Sequence, residues 1–349
     1  MTPLRSFAAT AALLGGLTLG AMAVATTPAL AADPAIVEAA KKEGKLTFYT
    51  ELPTEVIQGL IAQFNVTYPT IKIDFFRGST TPLLQRFESE IAAGRRTVDV
   101  LTSSERRSMP LIERKLLAPY TSPELAKYEK GFQPDHEYFA VYTLNSTSFA
   151  WNPKVVPAGQ EPKEWKDLLD PKWKGKIGIQ DPLTGGGTTA WIITMYGHWG
   201  EGPWVDFMQK LAAQGLRYGT RQNIEEMVIS GELAMIAIDY PDFVEPLKAK
   251  GAPIEWGTPD PMMLTRLTIQ LSATAPNPDA GKLFIDFMLS NEGQRTLAKH
   301  GTMPALKSEW PKAYDRLKTA KFIPSADDLE KQKFDYFQAK LREFFGKRG

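Results

Sequence analysis

The sequence has no cysteine among its 349 residues, which excludes disulfides, thiolate metal sites and a cysteine nucleophile. Histidine is scarce as well: only His136, His198 and His300 are present, and no two of them have the spacing of a metal-binding pair on a helix. The Gly-x-Ser-x-Gly motif of α/β-hydrolases does not occur. We therefore expect that the protein is not an enzyme and that it holds no cofactor.

An excess of charge of one sign is also missing. The chain has 41 basic and 40 acidic residues, and its formal net charge is +1. Nucleic-acid-binding proteins need a strong basic excess, so we expect no nucleic-acid partner. After the N-terminal segment, no apolar run is long enough to span a bilayer, so we expect no membrane insertion once that segment is removed.

The N-terminal segment, residues 1–31, has the order of a secretory signal peptide. Arg5 precedes an apolar stretch over residues 7–24, and small residues before a break at Ala31 form a cleavage site. A retained anchor helix is the alternative, but those small residues favour cleavage. No cysteine follows the stretch, which excludes a lipid anchor, and we expect a protein that is free in the periplasm.

Strand and helix signals alternate from residue 35 onward. Strands are predicted over residues 45–49, 71–76 and 98–101, with helices between them. This order predicts a parallel sheet with helices on both faces. A second such pattern follows, so the fold class is α/β with two lobes. Lobe 1 is expected to comprise residues 32–141 and 262–305, and lobe 2 residues 142–261 and 306–349.

Small and polar residues follow the predicted strands of both lobes. Parallel α/β sheets bind ligands beyond the carboxyl ends of their strands, so these residues are the candidate ligand contacts. Each cluster alone is more typical of a solvated turn than of a site, and only their recurrence at successive strand ends favours a site. The candidates are Tyr49, Thr50, Glu51, Arg77, Ser79, Ser103 and Ser104 in lobe 1, and Gly186, Gly187, Thr188, Asn223, Asp239 and Tyr240 in lobe 2.

Arg77 and the glycine run over residues 185–187 favour an anionic ligand. An arginine fork matches carboxylate or phosphate oxygens, and the free N–H groups at a helix start attract anions. The glycine run lacks the Gly-Lys-Ser/Thr of a P-loop, so a nucleotide site is not indicated. A surface salt bridge of Arg77 is the alternative.

Several segments are similar to those of one protein family. They include Lys45-Leu-Thr-Phe-Tyr-Thr, Trp165-Lys-Asp-Leu-Leu-Asp-Pro-Lys-Trp, Gly231-Glu-Leu-Ala and Leu289-Ser-Asn-Glu-Gly-Gln. In these segments the chain resembles the bacterial extracellular solute-binding proteins related to the ferric-ion-binding periplasmic proteins (family 1 type). The resemblance implies a type II-like periplasmic-binding-protein fold, in which crossing strands join two lobes that close on a ligand like a hinged trap. It also implies a monomer whose partners are an ABC permease and its ATPase.

The sequence departs from the iron-binding members at one place. Those members carry two adjacent tyrosines after the strand that follows the Gly-Glu pair, and here Tyr240 stands alone. We therefore expect a small anionic solute, an organic carboxylate or a phosphorylated compound, as the ligand. Ferric ion held by Glu51, Asp239 and Tyr240 is the second hypothesis. A secreted hydrolase using Asp239 and Asp242, or a sensory receptor, are further alternatives.

Overall fold

The computed structural model describes residues 33–184 and 186–346. The predicted signal peptide and Gly185 lie outside the described residues. The helices are α1 Pro34–Glu43, α2 Thr54–Thr67, α3 Thr80–Ala92, α4 Glu105–Glu113, α5 Gly187–Trp199, α6 Glu201–Ala212, α7 Arg221–Ser230, α8 Pro241–Ala249, α9 Pro278–Leu289, α10 Asn291–Lys299, α11 Asp327–Gln332 and α12 Phe334–Phe345. The strands are β1 Lys45–Thr50, β2 Lys72–Arg77, β3 Val100–Ser104, β4 Leu117–Ala118, β5 Ala140–Ser146, β6 Ser148–Trp151, β7 Ile177–Gln180, β8 Arg217–Gly219, β9 Met235–Asp239, β10 Glu255–Trp256, β11 Met262–Ser272 and β12 Phe322–Pro324.

The first sheet has the strand order β12-β11-β3-β1-β2, with β4 and β5 also pairing with β11. β1 runs parallel to β2 and β3, as the β-α-β-α-β order predicts, whereas β11 runs antiparallel to β3, β4 and β5. Helix α9 packs on this sheet, where Phe284 contacts Phe48 and Phe64 with edge-on rings at 5.1 and 5.5 Å. This apolar cluster is the core of the first lobe.

The second sheet has the strand order β10-β6-β9-β7-β8. β7 is parallel to β8 and β9, and β6 is antiparallel to β9. The fully buried Trp191 of α5 and Trp204 of α6 form the centre of its core. Helix α12 completes this core, because Phe344 packs against Trp204 at 5.4 Å between ring centroids.

The chain crosses between the sheets at few points. β5 belongs to the first sheet and β6 to the second, and Thr147 alone separates them. β11 returns the chain to the first sheet, and β12 still pairs with β11. The predicted two-lobed α/β fold is confirmed, with both sheets mixed rather than mainly parallel. We propose lobe bounds that follow the sheets, with crossings at Thr147, before Met262 and after Pro324.

No helix within residues 33–184 and 186–346 combines the length and the apolar character needed to cross a bilayer.

Candidate functional site

A cavity of about 560 Å³ lies where the lobes face each other, and we call it the arginine cleft. Its walls come from the start of α4 in the first lobe, from β5 and β11, and from α5, α7 and α8 in the second lobe. As far as the structure describes the chain, no carboxylate lines it. Its polar and charged lining comprises Ser104, Arg106, Arg107, Asn145, Gln180, Arg221, Tyr240, Thr265 and Ser325.

Two helices begin at the arginine cleft. β3 ends at Ser104, which is the N-cap of α4, and Gly186 is the N-cap of α5. In the described part of the chain, the Ser104 side chain accepts no hydrogen bond from α4, and Gly186 has no side chain that could accept one from α5. Backbone N–H groups at a helix start bind anions readily, so both helix starts are suited to an anionic ligand.

Local geometry explains the two glycines at the start of α5. Gly186 has φ +87°, a conformation that other residues rarely adopt. A β-carbon on Gly187 would overlap the hydroxyl of Tyr240. The phenol of Tyr240 therefore lies directly against the first residue of α5. Burial raises the pKa of Tyr240, so this hydroxyl stays protonated and can act as a neutral hydrogen-bond donor.

Arg221 is held in place by its neighbours in the second lobe. Thr220 caps α7 by accepting a hydrogen bond from the N–H of Asn223 at 3.2 Å, which fixes the helix start. Arg221 pairs with Glu225 one turn later, and its guanidinium stacks on the ring of Phe243 at 3.7 Å. Because side chains held in this way lose little freedom on binding, Arg221 is well organised to contact a ligand.

A second cavity of about 630 Å³ also lies between the lobes, and we call it the acidic cavity. Four carboxylates line it, those of Glu51, Glu225, Glu226 and Asp242. Arg221 lines both the acidic cavity and the arginine cleft. Burial raises the pKa of Glu51, and it raises the pKa of Asp242 to about 7. The Glu51 carboxylate accepts a hydrogen bond from the Thr102 hydroxyl at 2.6 Å.

Residues 95–331 match the family model described as bacterial extracellular solute-binding protein. This chain belongs to that family. The matching model is that of family 6, which replaces the family 1 type expected from the motifs. Members of the family are transport components, so this solute-binding protein is not an enzyme and the hydrolase alternative falls away.

The chain is also similar to individual proteins and to solved structures. The protein is 27% identical to an uncharacterised protein of Haemophilus influenzae over 79% of this chain and 82% of the relative. It is 31% identical to the Fe(3+)-binding periplasmic protein of Serratia marcescens, over only 30% of this chain and 31% of the relative. Its fold matches the periplasmic binding protein AfuA from Actinobacillus pleuropneumoniae, solved with exogenous fructose-6-phosphate bound. That match has a TM-score of 0.68 and 24% identity, and it covers 87% of this chain and 99% of AfuA.

Four of the predicted site residues of this solute-binding protein line the arginine cleft: Ser104, Gly186, Gly187 and Tyr240. Glu51 lines the acidic cavity instead. The structure thus brings together the last residue of β3 and residues that follow β7 and β9, from both lobes.

Other predicted residues lie in the interior of the lobes. The Tyr49 hydroxyl donates to the Glu90 carboxylate at 3.0 Å, away from both cavities. The Ser103 hydroxyl is bonded to Ser108 at 2.7 Å and accepts from Gln270 at 3.0 Å. Thr50, Thr188 and Asp239 are also buried, and none of the three lines either cavity.

The remaining predicted residues are exposed and lie outside both cavities. Arg77 donates from Nε to the Leu52 carbonyl at 3.1 Å, and Ser79 and Asn223 are exposed at helix starts. The arginines that line the arginine cleft are instead Arg106, Arg107 and Arg221, which the sequence reasoning missed.

The three residues expected for ferric ion are not gathered at one point. Tyr240 lines the arginine cleft, Glu51 lines the acidic cavity, and Asp239 is fully buried, where one of its oxygens accepts the Tyr240 N–H at 2.9 Å. Burial and the nearby Glu225 raise the pKa of Asp239, which disfavours the carboxylate that iron requires. Over the described parts of the chain, no group of three or more His, Asp or Glu residues is arranged to hold a metal ion.

Proposed function

We propose that this protein is the periplasmic substrate-binding component of an ABC importer, and that it captures a small anionic solute, an organic carboxylate or a phosphorylated compound. The observation that carries the proposal is the lining of the arginine cleft. Arg106 and Arg107 approach it from the first lobe, Arg221 from the second, and two helix starts face it. Its volume of about 560 Å³ suits a small metabolite.

The cleft provides different contact groups for the charged part and for the neutral part of a ligand. Guanidinium forks and helix N–H groups bind carboxylate or phosphate oxygens. The hydroxyl of Tyr240 and the amides of Asn145 and Gln180 provide hydrogen bonds for neutral hydroxyl or carbonyl groups. A ligand that contacts both lobes stabilises the closed arrangement, which is the form expected to meet the permease as a monomer.

Arg107→Met tests this proposal directly. Calorimetric titration of the purified protein with fructose-6-phosphate, citrate and the neutral sugar fructose compares charged and uncharged probes. We expect at least one anionic probe to bind and fructose to bind far more weakly. Loss of the Arg107 guanidinium should lower the affinity for the anionic probe by about tenfold or more, since a charge-assisted bidentate contact is removed.

Arg77→Met is the matched control, because it removes the same charge at an exposed position outside the cleft. We expect it to change the affinity by less than about twofold. Equal binding of fructose and its phosphate, or equal losses in the two variants, would contradict the proposal.

A further inference from the structure

The acidic cavity adjoins the arginine cleft, and the two share a wall. Asn145, Arg221 and Phe243 line both of them. Within the described part of the chain, no carboxylate lines the arginine cleft, whereas four carboxylates line the acidic cavity. A ligand with groups of opposite charge would therefore find complementary surroundings on the two sides of this wall.

The carboxylates of the acidic cavity come from both lobes. Glu51 directly follows β1 of the first lobe, whereas Glu225 and Glu226 lie on α7 and Asp242 lies on α8 of the second lobe. Among the described lining residues, Arg221 is the only basic one, and it is already paired with Glu225. The lining thus offers no second cation to Glu51, Glu226 and Asp242.

Two acceptor atoms of the cavity lining lack a donor, which is an observation independent of charge. Glu51 Oε1 and Asn145 Oδ1 are buried, and neither accepts a hydrogen bond from any described residue. The other Glu51 oxygen accepts from the Thr102 hydroxyl at 2.6 Å, which holds this carboxyl group in place. A buried acceptor without a donor costs free energy, and a donor on a bound ligand would remove that cost.

An ammonium group matches both features of the acidic cavity. It has three N–H donors, no acceptor and a positive charge. Burial raises the pKa of Glu51 and of Asp242, so the charged carboxylates are costly in the absence of a cation, and an ammonium would stabilise them. An organic cation fits better than a metal ion, because the described residues contain no group of three or more His, Asp or Glu arranged to hold a metal.

We propose that the acidic cavity binds an ammonium group of the solute whose anionic group occupies the arginine cleft. The inference rests on the proposed function and specifies the substrate class of that same site. The solute is then a zwitterion, with an amine and a carboxylate or phosphate on one small molecule. Arg221 lines both cavities and stands between the two charged groups of such a ligand.

Glucosamine-6-phosphate and glucose-6-phosphate are matched probes for this inference, since an amine in one replaces a hydroxyl in the other. Calorimetric titrations of the purified protein at pH 7 compare their affinities. We expect the amino sugar phosphate to bind about tenfold or more tightly, because its ammonium makes charge-assisted hydrogen bonds that a hydroxyl does not make.

Two variants, one in each lobe, test whether the acidic cavity is the source of this preference. Glu51→Gln and Asp242→Asn each remove a charge and keep the size of the side chain. We expect each to lower the ratio of the two affinities by about fivefold or more. Glu232→Gln is the matched control, because Glu232 is 52% exposed and lies outside both cavities, and it should leave the ratio unchanged.

The outcomes separate the inference from the proposed function. If glucose-6-phosphate binds at least as tightly as glucosamine-6-phosphate, the ammonium inference is overturned and the anion proposal stands. A ratio that is unchanged in both Glu51→Gln and Asp242→Asn, measured on variants with wild-type unfolding midpoints, also overturns it. Failure of both probes to bind overturns the inference for amino sugar phosphates together with the sugar-phosphate form of the proposed function.

Discussion

Gly187 and Tyr240 share a confined space at the start of α5. Because a β-carbon at Gly187 would overlap the Tyr240 hydroxyl, the substitution must displace either the phenol or the helix start. We expect Gly187→Ala to cost about 1–3 kcal/mol of unfolding free energy, as overpacking does, and to weaken anion binding. Denaturant unfolding and calorimetric titration measure the two effects.

Gly202→Ala is the control for this substitution. Gly202 lies in the first turn of α6, and a β-carbon there would meet no described atom within 4 Å. We expect a neutral or slightly stabilising effect of up to about 1 kcal/mol, with unchanged binding. If both glycine variants behave alike, the contact between Gly187 and Tyr240 does not shape the cleft.

The sequence predicted some cleft residues and missed others for identifiable reasons. Ser104 and Gly186 were predicted because strand ends and glycine-rich turns mark helix starts. Arg106 and Arg107 lie beyond Ser103 and Ser104, the polar residues that the strand-end pattern selects after the strand over residues 98–101. Arg221 lies two residues before Asn223, the nearest predicted contact, at the observed start of α7.

Tyr49 shows the limit of the strand-end argument. It directly precedes Thr50 and Glu51, so its position on the chain fits a ligand contact. Its hydroxyl instead meets Glu90, 41 residues away, within the core of the first lobe. Such a distant partner fixes the direction of the side chain, and local sequence patterns contain no information about it.

At the scale of elements, α12 shows how an apolar seam divides between core and surface. Phe334, Phe337, Leu341 and Phe344 have helical spacing, and the sequence predicts that they pack together. Phe337 is 1% exposed, whereas Phe334, at the first residue of the helix, is 53% exposed. The first residue of the apolar seam, Phe334, therefore lies outside the core of the second lobe, in which Phe337, Leu341 and Phe344 are buried.

Phe334 and Phe337 should therefore respond differently to truncation. We expect Phe337→Ala to lower the unfolding free energy by about 3–5 kcal/mol, because it removes a ring packed against Trp204 and Tyr196. Phe334→Ala should cost less than about 1 kcal/mol. Denaturant unfolding measures the unfolding free energy of both variants. Comparable losses of unfolding free energy in the two variants would contradict this packing of α12 on the second lobe.

For the whole molecule, buried carboxylates make stability depend on pH. Burial raises the pKa of Asp286 on α9 to about 6, although the Tyr120 hydroxyl donates to it at 2.8 Å. In the unfolded chain an aspartate titrates near 3.9. The stabilisation from this group is therefore complete below about pH 4 and is lost as the pH rises through about 6.

Asp286→Asn should remove this part of the pH dependence. A shift of about two units corresponds to about 3 kcal/mol, so the fall in unfolding free energy between pH 4 and pH 7 should be smaller by about that amount in the variant. Asp206→Asn, at a side chain that is 61% exposed, serves as the charge-matched control. A pH profile of Asp286→Asn parallel to that of the unaltered protein would contradict the assignment.

The short link between β5 and β6 restricts how the two lobes can move relative to each other. Thr147 is the single connecting residue, and it is tied to Met263 by backbone and side-chain hydrogen bonds of 3.0 and 3.1 Å. Translation of one lobe along the other would break the strand hydrogen bonds of both sheets next to Thr147. Rotation of the lobes about Thr147 would keep these bonds. We therefore expect Thr147 to act as the pivot of lobe closure around a ligand, with a rotation axis that passes beside Met263, the second residue of β11.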